Sequence, residues 1–378
     1  MSWASSLALN FNTVKSTIAA KNTTTADTKT RLCHRKHTGA LMVQRPLYPE
    51  PRAQQGICHI LMLYPPAGIA GGDTLGIDLR LDQNSHAVIT TPGAGKWYGK
   101  DSVSQRRKSS QLQSNAYLKM QADLPTTLDG KIAVQNTISA DVKDTGQPAI
   151  SQNDIAEHAS QHVQANLDAH ARLEWLPQES IIYNEANMQA TSRFDLKASS
   201  SLLTWEINVF GRQAYDEQFM QGRYHTGLSI YREGRVIVAE RVAQLAKSRW
   251  FTSALGLAGK HVYGSFWAVP NLSDVHKKPI LSVRSTSLTS KTVASTATAQ
   301  ATIKQALPRY LDSTVLILRQ VIAESGLPVY CTHNDQAVNI RYIGSDVRGC
   351  FDAFYQLREV LREHWWQLEP CRPRIWDT

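Results

Sequence analysis

Residues 64–98 read YPPAGIAGGDTLGIDLRLDQNSHAVITTPGAGKWY. A Pro-Pro turn and a glycine cluster open the stretch. Leu75, Ile77, Leu79 and Leu81 then alternate with polar neighbours. A polar turn at 83–86 separates this run from a second apolar one, which ends in Thr90-Thr91-Pro92-Gly93. Period-two alternation on both sides of a short polar turn predicts a β-hairpin. Glycine and proline at either end mark backbone that needs special angles. Asp73 sits among the glycines, where an aspartate is by default a turn former.

Much of the remaining chain follows the same period. Strands are expected around Leu7, Leu9 and Phe11, at Leu41 and Val43, and over 57–64, 161–175, 181–183, 190–196, 202–210, 261–269 and 338–343. GLSIYREGRVIVAERV, residues 227–242, predicts a hairpin turning at Arg232-Glu233-Gly234. Helical spacing arrives late. Leu311, Val315, Leu318 and Ile322 form one stripe, stopped by Gly326. Ser345 is the expected N-cap of a second helix, whose stripe is Val347, Phe351, Phe354, Leu357, Leu361 and Trp365. Residues 21–29 read as a polar loop. A Ser-, Gln- and Asn-rich segment at about 101–158 reads as a surface insertion, and about 278–301 as a second polar loop. Many strands, two late helices and no βαβ alternation predict a mainly β fold and argue against a doubly wound nucleotide-binding one. One unit is expected to span residues 1–378.

A chain of 378 residues with 42% hydrophobic content can bury a substantial globular core. The formal net charge of +9 suits an acidic partner. The basic residues are dispersed, however, and the densest cluster, Arg106-Arg107-Lys108, is too short for a nucleic-acid patch. Five cysteines without a CxxC pair predict reduced thiols rather than a disulfide framework. Asn10, Asn12 and Lys15 interrupt the N-terminal apolar residues, and no run of 18 apolar residues exists. The expectation is a soluble, cytoplasmic protein with no membrane partner.

Motifs that carry chemistry are sparse. GAGK at 93–96 is not a phosphate loop, because GxxxxGK[ST] needs glycine at 90 and Ser or Thr at 97, where the chain has Thr90 and Trp97. Cys33-His34-x-x-His37 lacks the second ligand pair of a zinc site and reads as surface side chains. His158 and His162 are four apart, but the second falls in a strand pattern. There is no HExxH and no GxSxG elbow. Glu174, Glu179, Glu206, Glu217 and Glu240 lie in or beside strands and read as solvated faces or partners for Arg and Lys. Nothing marks an activated nucleophile, so no catalytic residue is expected and the chain does not read as an enzyme.

Seven blocks taken together carry a resemblance. They are TRL at 30–32, QRPLYPE at 44–50, YPPAGIAGGD at 64–73, TTPGAGK at 90–96, LEWLPQE at 173–179, GR at 211–212 with Glu217, and PRIW at 373–376. In this order they resemble the UreD family (UreH in some systems) of urease accessory proteins. The resemblance implies an open, β-helix-like stack of strands with a few helices. It also implies a non-enzymatic maturation factor that binds the urease apoprotein and a helical partner, UreF, which recruits the GTPase UreG. Such a factor assists nickel delivery and holds no tight cofactor, only Ni2+ in transit. The chain departs from the family pattern at Ala67 and Asp216, which replace glycines, and at Gly95 and Gly99, which replace Thr and Arg.

A metal in transit needs ligands that bind and release. Carboxylate, imidazole and water suit this better than a closed thiolate cage. Asp73, Glu174, Glu179 and Glu217 fall in the matched motifs and are the expected lining of a polar Ni2+ path. Two alternatives stand beside it. In a pure docking scaffold the same carboxylates would satisfy bases such as Arg212. A carbohydrate-active β-helix enzyme would need a clustered carboxylate pair.

Overall fold

The computed structural model describes residues 3–15, 28–51, 56–99, 158–273, 275 and 296–377. Its strands form two mixed sheets. The first holds seven: β1 (Ala4–Lys15), β2 (Thr28–Thr38), β5 (Thr74–Leu81), β8 (Ala159–Leu167), β11 (Asn187–Leu196), β13 (Arg223–Arg232) and β14 (Arg235–Leu245), in the order β14-β13-β11-β8-β5-β1-β2. From β13 to β1 the neighbours run parallel, and the two edges are closed by antiparallel partners. The second sheet holds β3 (Met42–Val43), β4 (Cys58–Leu63), β6 (His86–Thr90), β9 (Arg172–Trp175), β12 (Ser201–Phe210), β15 (Val262–Val269), β16 (Val329–His333) and β17 (Val338–Gly344). Its order is β16-β17-β15-β12-β9-β6-β4-β3, with β7 (Gly95–Trp97) and β10 (Ser180–Ile182) attached beside β12.

Register explains why the first sheet has one apolar face. Leu9, Leu79, Ala165, Phe194 and Ile230 lie side by side across five strands and all are buried. Alternate residues on the same strands, such as Arg80 and Arg193, are exposed. This is period-two patterning of a sheet with one wet face. The central strands of the second sheet, from β15 to β4, are buried on both faces. Leu202 of β12 joins the core between the sheets, while its neighbour Leu203 joins a second core on the far side. Helices α2 (Thr296–Glu324) and α3 (Val347–Leu361) cover that far side, with Leu311, Leu318, Phe354 and Leu357 fully buried. A four-residue helix, α1 (Arg249–Thr252), precedes β15.

The mainly β class with two late helices holds, and the hairpin at 227–242 is β13 and β14, turning through Glu233 (φ 48°) and Gly234 (φ 75°). The opening hairpin is corrected. β5 belongs to the first sheet, where it pairs with β1 and β8; β6 belongs to the second, where it pairs with β4 and β9. The turn at 82–85 carries the chain from one sheet to the other. The decisive sign is that all five residues of β6, HAVIT, are buried. A strand with a core on both faces does not alternate.

Two helix boundaries also move. α2 begins at Thr296, so the end of the loop expected at 278–301 is helical; Ala297, Ala299 and Ala301 carry helix propensity that the threonines around them concealed. Asp346, not Ser345, is the N-cap residue of α3. The insertion expected at 101–158 lies outside the described residues except for His158, as do residues 21–27 of the first loop.

Candidate functional site

Helix α3 and the π-helical turn that continues it (Arg362–Trp366) bury two arginines. Arg358 and Arg362 are four residues apart, so they project from one face of the helix. That face is packed on the second sheet, and both side chains are fully buried. A buried cation requires a partner. The partners come from the sheet and its margin.

Glu174 on β9 takes a hydrogen bond from Arg358 Nε at 2.5 Å and another from His86 Nε2 at 2.8 Å, with Arg362 Nη1 3.8 Å away. Glu50, in the segment after β3, accepts from Arg362 Nη2 at 2.8 and 2.9 Å and from His59 Nε2 at 2.9 Å. Glu359 accepts from Arg358 Nη1 at 2.5 Å and from the Cys371 backbone amide at 3.1 Å. Register brings the network together. His59, Val88 and Glu174 lie in one row across β4, β6 and β9, and His86 is two residues from Val88 on the same face.

The electrostatics follow from enclosure. Burial works to raise the Glu174 pKa, but Arg358, Arg362 and the His86 hydrogen bond outweigh it and hold the carboxyl well below its ordinary value. Glu50 is likewise lowered: burial opposes, and His59 and Arg362 prevail. Burial pushes His86 down to about 4 against the pull of Glu174, and lowers His59 too. Both imidazoles are therefore neutral donors at pH 7. Burial pushes the Cys371 thiol up to about 12.

The donor atoms of Glu50, His59 and Cys371 lie within 4.8 Å of one another, a grouping a metal could use. Arg362 already supplies a positive charge to both Glu50 oxygens, so charge balance needs no ion there.

The expected nickel path names four carboxylates, Asp73, Glu174, Glu179 and Glu217. Among the described residues, none of them belongs to a group of three or more close metal-ligand side chains. Asp73 is buried and accepts backbone amides from Trp3 (Oδ1, 2.9 Å) and Ala70 (Oδ2, 2.9 Å), tying the start of β1 to the turn before β5. Glu217 is ion-paired with Arg212 and accepts the Asn184 amide at 3.1 Å. That ion pair closes the loop after β12. Glu179 is half-buried just before β10, and its backbone carbonyl accepts the Gly95 amide at 2.8 Å. Glu174 is the one that enters the arginine network.

Glu50, His59, His86, Arg358 and Arg362 were not singled out by sequence reasoning. A signal existed: two arginines at i and i+4 interrupt the apolar stripe of α3, and bases on a buried face imply acids opposite.

A second acidic pair lies between the sheets. Glu240 is held by Arg341 (2.5 Å), Tyr263 (2.9 Å) and Trp267 (2.8 Å). Glu206 lines a small polar cavity with Glu240, Thr204, Thr226 and Ser265. Burial and the Glu240 charge raise Glu206 to about 7. A raised carboxyl opposes folding as pH climbs from the ordinary carboxylate range through 7. Glu206→Gln is therefore expected to stabilise the protein at pH 8 by about 1–2 kcal/mol, after discounting for the cavity's polarity. The gain should vanish near pH 4.5; equal gain at pH 5 and 8 in urea unfolding refutes it.

A model of the family described as UreD urease accessory protein matches residues 18–377. The chain belongs to the UreD family. It is similar to urease accessory protein UreD 2 of Psychrobacter cryohalolentis, at 46% identity over 386 residues covering 100% of both chains. It is also similar to the UreD of Acinetobacter baumannii strain ACICU, at 31% identity over 352 residues, 93% of this chain and 91% of that one. The relatives are named accessory proteins rather than enzymes. No helix among the described residues is long and apolar enough to cross a membrane. Ala67 and Asp216, where the resemblance implies glycines, adopt φ 62° and 54°. This is the left-handed region where glycine carries no steric cost.

Proposed function

We propose that the chain is a urease maturation factor that binds the urease apoprotein and the UreF–UreG pair and assists Ni2+ delivery to the forming dinickel centre. The supporting observation is the UreD family match over residues 18–377. Nickel is cargo in this reading, and no tight cofactor is needed. Glu179 and Glu217 are half-buried carboxylates, a ligand type that binds and releases divalent ions.

A second reading, a docking scaffold that never touches nickel, has its own support. Asp73 and Glu174 already serve backbone amides and arginines.

The test is co-expression with urease subunits, UreF and UreG, reading complex formation and urease activation separately. Under the nickel reading Glu179→Ala keeps the complex and lowers activation by about tenfold or more. Asp73→Ala leaves two backbone donors unpaired and is expected to cost about 1–3 kcal/mol of stability, so its melting is measured first. Full activation by both variants leaves only the scaffold. A chain that co-purifies with neither apo-urease nor UreF sinks both readings.

A further inference from the structure

One corner of the molecule presents apolar side chains on backbone that is held rigidly. Two segments meet there, 211–222 after β12 and 245–260 after β14. The Ala246 amide bonds the Gly222 carbonyl at 3.0 Å, and the Phe219 and Phe251 rings lie 5.8 Å apart. Tyr215, Met220, Leu245 and Leu255 are exposed on these segments at 76, 44, 56 and 100%. They make up four of the ten large exposed hydrophobics among the described residues.

The corner is not a loose loop. Leu255 stands fully exposed at the tip of a turn in which Leu257 bonds Trp250, Ala258 bonds Ser253 and Gly259 bonds Phe251, each through backbone groups at 2.8–2.9 Å. A Cβ at Gly256 would lie 1.9 Å from the Trp250 carbonyl, so the turn admits only glycine there. Asp216, Lys247 and Ala258 hold positive φ without being glycine. Backbone strain of this kind persists where the surroundings fix it, and it concentrates at functional surfaces. A leucine carried on a fixed backbone has the backbone part of its ordering cost met before any partner arrives.

Charge says what kind of partner fits. Residues 241–260 contain Arg241, Lys247, Arg249 and Lys260 and no acidic residue; the 211–222 segment adds Arg212, ion-paired with Glu217, and Asp216, so the corner stays net positive. All four basic residues of 241–260 are exposed. A second copy of this chain would set cations against cations across such a patch, which disfavours self-association.

We infer that this corner is a preformed docking surface for a folded protein that offers an apolar pocket for Leu255 ringed by carboxylates. The inference rests on the maturation-factor reading only for its choice of probes, purified UreF and purified apo-urease. Leu255 touches nothing that folding needs, so Leu255→Ser leaves the fold intact, and Lys260→Glu inverts the rim. Leu316→Ser, at a 68% exposed site on α2, is the control.

In titrations of the full-length chain, Leu255→Ser and Lys260→Glu are each expected to weaken binding to one probe by roughly tenfold or more. The Lys260→Glu loss should be largest at low salt, and Leu316→Ser should bind as wild type. Binding of both variants to both probes within twofold of wild type overturns the docking surface and leaves the maturation reading standing. A wild-type chain that binds neither probe overturns both.

Discussion

Glu174→Ala is expected to destabilise the protein by about 3–5 kcal/mol, the usual loss when one member of a buried ion pair is removed. The reason lies less in the pair's own strength than in what remains. Arg358 and Arg362 have fully buried side chains, and Glu174 is the carboxylate between them. Without it, Arg358 keeps Glu359 and the Cys371 carbonyl, and Arg362 keeps Glu50. One positive charge in the core then has less compensation than before. Glu174→Gln should cost less, since an amide oxygen still accepts one hydrogen bond while the charge is lost. The double variant Glu174→Ala/Arg358→Ala should cost clearly less than the two single losses added, because neighbours in one network are not additive. Urea unfolding measures these three and the Arg358→Ala single variant. The control is Asp195→Ala, which breaks the part-exposed Arg193–Asp195 pair and should cost below about 1 kcal/mol. If Glu174→Ala costs no more than this control, the network is not what holds α3 to the second sheet.

That network also shows where sequence reasoning ran out. The alternation of Leu75, Ile77, Leu79 and Leu81 was legible because β5 has one wet face. The five residues of β6 were readable as a strand, but not as a strand in a different sheet. Partner choice depends on contacts with β4 and β9, and these leave no periodic trace in β6 itself. The same limit hid the site. Glu50, His86, Glu174 and Arg362 are separated by up to 312 positions and meet only after the sheets and α3 have docked. Motif blocks did carry the family, because short runs such as QRPLYPE and LEWLPQE contain Glu50 and Glu174 themselves. They gave no hint that the two carboxylates share an arginine. Asp73 was legible as a turn residue among glycines, and its two backbone hydrogen bonds agree.

Acid should weaken this protein in two successive steps, the first of them at His86. An imidazole in the unfolded chain titrates near 6.5, whereas burial holds His86 at about 4. Between those values the unfolded chain takes up a proton that the folded one refuses, so stability falls as pH falls. The contribution is fully present above pH 6.5 and lost on the way down to pH 4. The gap corresponds to about 3 kcal/mol at most. Every group packed on the ring enters this balance. Glu174 favours the proton, Arg172 and Arg362 oppose it, and the Trp366 ring 5.0 Å away excludes water. His59, lowered by the same burial, adds to the same limb. The second step lies lower. Glu174 and Glu50 are depressed carboxyls, so their stabilisation is fully present above the ordinary carboxylate range and is lost as pH falls from that range towards their folded values. Urea midpoints from pH 7.5 to 4.5 should therefore fall before Glu174 or Glu50 in the folded protein has taken up a proton. His86→Gln, whose amide can still donate to Glu174, should flatten that upper limb and leave the lower one. Imidazole NMR provides the direct check, with the His86 ring staying neutral at pH 5.5. A ring that titrates near 6.5 in the folded protein, or a midpoint that is flat from pH 7 to 5, defeats the assignment.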